Sequence, residues 1–288
     1  MMNLNNPNLK VGVIGVGNMG QSLIKGFIDS KTLPAENVVV FNRSKEKVIN
    51  LQESHNVTEA SSIEELVDQC NVIFLSIKPQ DLSNLLENIS NKDIDNKIFV
   101  SVVVGVSISF IEEKLDSTAK VIRLMPNTPC LIGHGVTAMA YNNRTDNQEI
   151  KLVSDLVKST GEVIEVSEEQ MDAVTGLSGS GPAYVFMLIQ ALTSGGVKQG
   201  LSHEQSKILA AQTVQGAAKM VLETDKHPEE LKDMVSSPGG TTIQAVQYLE
   251  DNAIRGAFMK AVELSSHRAY EIKQGSQQGN DDSDNKQD

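Results

Sequence analysis

The stretch Val11-Gly12-Val13-Ile14-Gly15-Val16-Gly17-Asn18-Met19-Gly20 decides how the chain is read. Its first half is a short apolar run, the pattern of a buried strand. The run breaks into glycines at Gly15, Gly17 and Gly20, and a helix with Leu23, Ile24, Phe27 and Ile28 on one face follows. Strand, glycine-rich turn and helix in that order make a dinucleotide-binding unit. Gly15 permits the tight turn and Gly17 lets the backbone approach a pyrophosphate. Gly20 lets the helix pack close to the strand, while the helix-start amides, at Asn18, Met19 and Gly20, hold the phosphates.

Working outward, Asn37 to Phe41 gives a second strand that ends at Asn42-Arg43-Ser44. A carboxylate at this point binds the ribose 2′-hydroxyl of NAD, roughly 20 residues past the glycines. None stands here. Asn42, Arg43 and Ser44 suit a 2′-phosphate instead, with Arg43 supplying charge and the others hydrogen bonds. An exposed turn leading to a helix cap at Ser44 is the plainer alternative. Further strands are expected near Val57 and over 71–77, 97–104, 120–124, 136–141 and 162–166, with helices between them, including one over 146–159. Strands alternating with helices imply a mainly parallel, doubly wound sheet covered on both faces. Ligands sit at the carboxyl ends of such strands. That rule places Lys78, in Lys78-Pro79-Gln80, against a cofactor ribose or nicotinamide, a solvated loop lysine being the alternative. Another strand end carries the stiff loop Met125-Pro126-Asn127-Thr128-Pro129.

Beyond residue 170 strand signals stop. The segment 182–197 is apolar almost all round, so it must be buried. A second apolar helix is expected over 203–223, and a last long one from about Thr242 to Lys273. So much apolar helix in so short a stretch calls for a homodimer interface, with packing on the first domain as the alternative. The expected domains are therefore 1–166, a Rossmann-type NADP-binding sheet, and 167–274, an all-α substrate and dimerisation domain. Residues 275–288 carry no apolar side chain and are expected to be a disordered tail.

Bulk properties narrow the function classes. A net charge of −12 over 288 residues, with no basic block, argues against nucleic acid or an anionic membrane as partner. Two cysteines far apart and five histidines without ligand spacing argue against a metal site. No secretory pattern opens the chain and no apolar run is long enough for a bilayer, so a cytoplasmic protein with a small-molecule substrate is expected.

Several motifs in order then resemble the pyrroline-5-carboxylate reductase family, over about residues 10–273. They are Gly15 to Gly20, Lys78-Pro79-Gln80, Arg123 to Pro129, Gly179-Ser180-Gly181-Pro182-Ala183-Tyr184 and Val235-Ser236-Ser237-Pro238-Gly239-Gly240-Thr241-Thr242, the last being the most specific. The resemblance implies reduction of a five-membered cyclic imine to proline, the last step of proline synthesis. It implies NADPH as coenzyme, with NADH as an alternative, and an interlocked helical dimer built into a larger homo-oligomer. Met125, Asn127 and Thr128 would then lie beside the nicotinamide. Ser237 and Thr242 would line the substrate pocket, with Thr242 near the ring nitrogen as the catalytic hydroxyl.

The residues read on their own agree. Gly239 and Gly240 expose amides at the positive end of a helix, where a carboxylate binds, and Ser237, Thr241 and Thr242 add hydroxyls. A helix cap and no more is the alternative for this stretch. Two other functions compete. A β-hydroxyacid dehydrogenase carries a lysine four residues after the second glycine of a Gly-x-Gly motif, and here Val185 stands at that place, leaving no base for an alcohol. A nucleotide sensor of the same fold would have no use for the Ser237 to Thr242 stretch. A related cyclic-imine reductase stays open.

Overall fold

The computed structural model describes residue 4 and residues 6–278, with side chains through residue 275. It divides into two compact units, one holding the chain to Gly179 together with the segment from Ser265, the other Ser180–Leu264. The boundary thus falls inside the last helix.

Eight strands among the described residues form one sheet. They are β1 Val11–Ile14, β2 Val38–Phe41, β3 Thr58–Glu59, β4 Val72–Leu75, β5 Ile98–Ser101, β6 Lys120–Met125, β7 Gly135–Tyr141 and β8 Gly161–Glu165. Helices α1 Asn18–Asp29, α2 Lys45–His55, α3 Ile63–Gln69, α4 Pro79–Ile89, α5 Ile108–Leu115, α6 Asn147–Val157 and α7 Met171–Val174 connect or follow them. The strand order is β3-β2-β1-β4-β5-β6-β7-β8. Every pairing is parallel except β6 with β7. The sheet is therefore the expected mainly parallel, doubly wound one, with a single antiparallel step.

Period-two alternation sorts the strand residues onto two faces. Val11, Val13, Val38, Val40, Val72, Phe74, Ile98 and Val100 face one core with Leu23, Ile24 and Phe27 of α1 and Val153 and Leu156 of α6. Ile14, Val39, Ile73, Leu75, Phe99 and Val121 face the other, with Leu66, Leu82, Leu86 and Ile111 of α3, α4 and α5. Position 12, on that second face, suits glycine because α3 comes so close that a β-carbon there would fall 2.4 Å from Leu66.

The second unit holds α8 Gly181–Lys198, α9 His203–Glu223, α10 Pro228–Met234, α11 Thr241–Asp251 and the first half of α12 Ile254–Gln278. Helices α8 and α9 turn back on each other through Gly200, whose φ of +97° is a left-handed conformation suited to glycine. Ser202 then caps α9 with Gln205 in a reciprocal capping box.

Three expectations change. The single helix from Thr242 to Lys273 is two helices, because Asn252 turns its side-chain amide onto the Tyr248 carbonyl and Ala253 adopts φ +52°. Asparagine competes for backbone groups in this way and ends helices. Helix α12 runs on to Gln278, four residues into the stretch read as tail, and residues 279–288 lie outside the described residues. The largest change concerns α8. Although apolar almost all round, it is not buried within the chain, and Phe186 and Met187 are 62% and 73% exposed. Among the described residues no helix is long and apolar enough to cross a membrane.

Candidate functional site

In a sheet of this order the strand sequence reverses direction between β1 and β4, and a crevice opens at the carboxyl ends of the strands there. A cleft of about 610 Å³ occupies that position. Gly15, Gly17, Asn18 and Met19 form its floor after β1, Asn42 and Arg43 one wall after β2, and Ser76 to Lys78 the edge after β4.

The three glycines divide by what demands them. A β-carbon on Gly15, at φ +98°, would lie 2.3 Å from the Ser76 carbonyl oxygen, and one on Gly20 would lie 2.1 Å from that of Gly15. The fold itself requires both. A β-carbon on Gly17 would meet nothing within 4 Å, since its place is the open cleft. Only a bound group that approaches the backbone would call for glycine at this position. Gly17 is also the N-cap of α1, with no side-chain cap and no acidic residue in the first turn. The amides at the helix start face the cleft with the positive end of the helix dipole, an anion site. These features fit a dinucleotide.

The other expected coenzyme residues are distributed unevenly. Asn42 is engaged in the loop, its Oδ1 accepting from the Val16 amide at 3.1 Å and its Nδ2 donating to the Ser44 carbonyl at 3.1 Å. Ser44 starts α2 as its N-cap residue. Lys78 lines the cleft as the residue preceding α4, and Pro79 takes the first helical position. Met125 ends β6, where its methyl group packs against Gly179 so closely that a β-carbon there would lie 2.6 Å away. Asn127 Oδ1 accepts from the Val136 amide at 3.0 Å, and Thr128 opens a short 3₁₀ turn. Burial pushes the Cys70 thiol up to about 12, and Cys130 is also buried.

Sequence reasoning missed part of the cleft. Gln80, Asn84 and Asn88 line it from α4, and Lys47 and Asp81 complete the charged wall. A signal for the first three existed, since four-residue spacing puts them on one helix face opposite the buried Leu82, Leu86 and Ile89. A second missed feature is the π-helical turn Thr175–Gly179, a rare geometry concentrated at functional sites.

The residues expected to bind substrate lie in the second unit. Gly239, at φ +67°, and Gly240 form the turn between α10 and α11, and the Gly240 amide donates to the Ser237 carbonyl at 3.0 Å. A β-carbon on Gly240 would lie 2.3 Å from Ser237 Oγ, so any other residue there would make that hydroxyl turn aside. Helix α11 repeats the arrangement of α1, with a glycine N-cap, no side-chain cap and no acid in the first turn, where Thr241 and Thr242 stand. Thr242 is half-buried, whereas Ser237 and Thr241 are exposed.

Sheet order, cleft and open helix start together define a dinucleotide-binding protein of the doubly wound class. Two family models match, one described as NADP oxidoreductase coenzyme F420-dependent over residues 10–105, the other as pyrroline-5-carboxylate reductase dimerisation over residues 168–272. The chain belongs to the pyrroline-5-carboxylate reductase family. A pyrroline-5-carboxylate reductase of Methanosarcina acetivorans is 38% identical over 92% of this chain and 98% of its own. Among solved structures, pyrroline carboxylate reductase of Plasmodium falciparum with NADP bound superposes with a TM-score of 0.84 at 35% identity, covering 92% and 98% of the two chains. The Coxiella burnetii reductase gives 0.87 at 33% identity over the same shares.

Proposed function

We propose that this protein reduces 1-pyrroline-5-carboxylate to L-proline with NADPH, the last step of proline synthesis. One observation carries the reading. Likeness to reductases of that name runs through both units and nearly the whole length of the relatives, and it includes the Val235 to Thr242 stretch. NADPH, when bound, supplies the hydride that the imine carbon accepts.

The chain's own residues bind, orient and handle one proton. Amides at Gly17 to Gly20 hold the pyrophosphate, and Arg43 at the end of β2 meets the 2′-phosphate, with Asn42 and Ser44 shaping its loop. Lys78, Met125, Asn127 and Thr128 serve the nicotinamide end. Since Asn127 Oδ1 is committed to Val136, its amide nitrogen is the group it offers. In the second unit the Gly240 amide closes the turn onto the Ser237 carbonyl, and with Gly239 and Gly240 shaping that turn the amides at the start of α11, from Thr241 on, hold the substrate carboxylate beside Ser237 and Thr241. Thr242 orients the ring nitrogen. Hydride at carbon leaves the nitrogen needing one proton, and the Thr242 hydroxyl relays it from water. An imine needs no general base, in keeping with Val185 where a hydroxyacid dehydrogenase has lysine.

The bare apolar faces of α8, α9 and α12 belong in a homo-oligomer, built as a dimer and extended to a larger closed assembly in the cytoplasm. NADPH oxidation by purified protein over a panel of cyclic imines and 3-hydroxyacids tests the assignment. Turnover of the carboxylated five-membered imine is expected. Turnover of a hydroxyacid with none of the imine overturns it.

A further inference from the structure

Arg43 does not stand open in the cleft. Its Nη1 lies 3.0 Å from Oδ1 of Asp81, in the first turn of α4, with 76% of the Arg43 side chain and 31% of that of Asp81 exposed. Both residues line the cleft, Arg43 from the end of β2 and Asp81 from the first turn of α4. Lys47 and Lys78 are its other lining cations, and among the described residues Asp81 is its one lining carboxylate.

We infer that Asp81 sets the coenzyme selectivity of this chain by holding Arg43 in an ion pair that a ribose 2′-phosphate must open. The inference rests on reading Arg43 as the group that meets that phosphate. The Nη1 that Asp81 holds cannot also be given to a phosphate, so a two-pronged grip on the phosphate through that edge of the guanidinium competes with the carboxylate. Once the phosphate is seated, Asp81 faces it as a like charge across a narrow gap. NADH carries a neutral hydroxyl at that position, which draws no cation away and meets no repulsion. The pair therefore keeps preference for NADPH below what Arg43 alone confers. An ion pair so exposed to water is weak, so it opens readily and its effect is one of degree.

Asp81 also complements the dipole at the start of α4, so Asp81→Asn lowers thermal stability somewhat. That loss is common to both coenzymes on the same variant and cancels in their ratio. The test is a set of NADPH and NADH dissociation constants, by fluorescence titration, for the full chain, Arg43→Ala, Asp81→Asn and the double variant. Asp81→Asn is expected to tighten NADPH by about three- to tenfold and to change NADH by less than about twofold, with the NADPH gain shrinking as salt rises. In the Arg43→Ala background the gain should shrink, because only repulsion remains to be relieved. A ratio unchanged or lowered by Asp81→Asn, or a gain of full size without Arg43, overturns the inference while leaving Arg43 its role. If Arg43→Ala weakens both coenzymes equally, the phosphate reading itself fails and the inference with it.

Discussion

Gly17 and Gly20 look alike in sequence but answer to different partners, and substitution separates them. Gly20→Ala drives a methyl group into the Gly15 carbonyl and should cost about 1–3 kcal/mol of stability. Gly17→Ala meets only open cleft, so stability should move by less than about 1 kcal/mol, the difference between glycine and alanine at an N-cap. NADPH affinity should nevertheless fall about tenfold or more, because the methyl group stands where the pyrophosphate approaches. Thermal melts with and without NADPH measure both, and a Gly17→Ala protein that binds NADPH normally would remove the glycine loop from the coenzyme site. Thr242→Ala should lower kcat/KM for the imine by about 10- to 100-fold, the scale of one lost polar contact, and Thr242→Ser should recover much of it. NADPH affinity and oligomer size should hold. An unaffected kcat/KM would reduce the Ser237 to Thr242 turn to a helix cap. At this scale the sequence was legible wherever a residue acts through its own neighbours, as in both glycine turns. Asp81 was invisible because its partner comes from another strand end, and no spacing encodes that meeting. Asn42 shows the reverse case, a polar side chain that suits a ligand on paper but is held by Val16 and Ser44.

Elements were legible for a related reason. Strands declare themselves here as continuous short apolar runs, and β1, β2, β4 and β5 fall within the expected spans because both faces of the sheet are covered. The break between α11 and α12 was not legible, since the apolar residues on either side continue in helical spacing and one asparagine decides the outcome. That break lets Arg255, just inside α12, reach back. Arg255 lies 2.6 Å from Glu229 of α10 and 2.7 Å from Glu250 of α11, and Lys232 lies 2.7 Å from Glu229. The network fastens together the helices that flank the Ser237 to Thr242 turn. Arg255 first, then Lys232, holds the Glu229 carboxyl down to about 2 from 4.5. A carboxyl depressed in the folded state contributes stability above its unfolded value and loses it as pH falls through the folded one. Comparison of wild-type and Glu229→Gln melting temperatures should therefore give a difference that is full at neutral pH. It should fade between about pH 4.5 and pH 2. Because the network is exposed, the difference should also shrink at high salt. A difference that stays constant over that pH range would show that Glu229 acts by packing and not by charge.

The whole molecule is governed by surface it leaves bare. Phe186, Met187, Leu222 and Met259 are 62%, 73%, 85% and 73% exposed, and Lys198 is the only charged residue in the eighteen of α8. Single exposed apolar residues are ordinary, but several large ones on neighbouring helices make a face that needs a cover. The sequence pattern announced a buried helix, the chain by itself leaves that helix bare, and on the proposed assembly its cover is another copy of the chain. Each copy carries a net charge of −12, so assembly works against long-range repulsion. The apolar contact must outweigh that repulsion, and the near absence of charge on α8 keeps it from being concentrated at the contact. Two measurements follow. Light scattering at low micromolar concentration should find a single oligomer, and the melting temperature should rise with protein concentration, because folding and association are then one equilibrium. Phe186→Glu with Met187→Glu should shift the population toward smaller species and abolish turnover, by placing two unpaired charges in a desolvated contact. On a free surface the same pair of changes would be nearly neutral, within about 0.5 kcal/mol each. A stable, active monomer, or a melting temperature independent of concentration together with a harmless double variant, would show that these helices are covered by something other than a second copy.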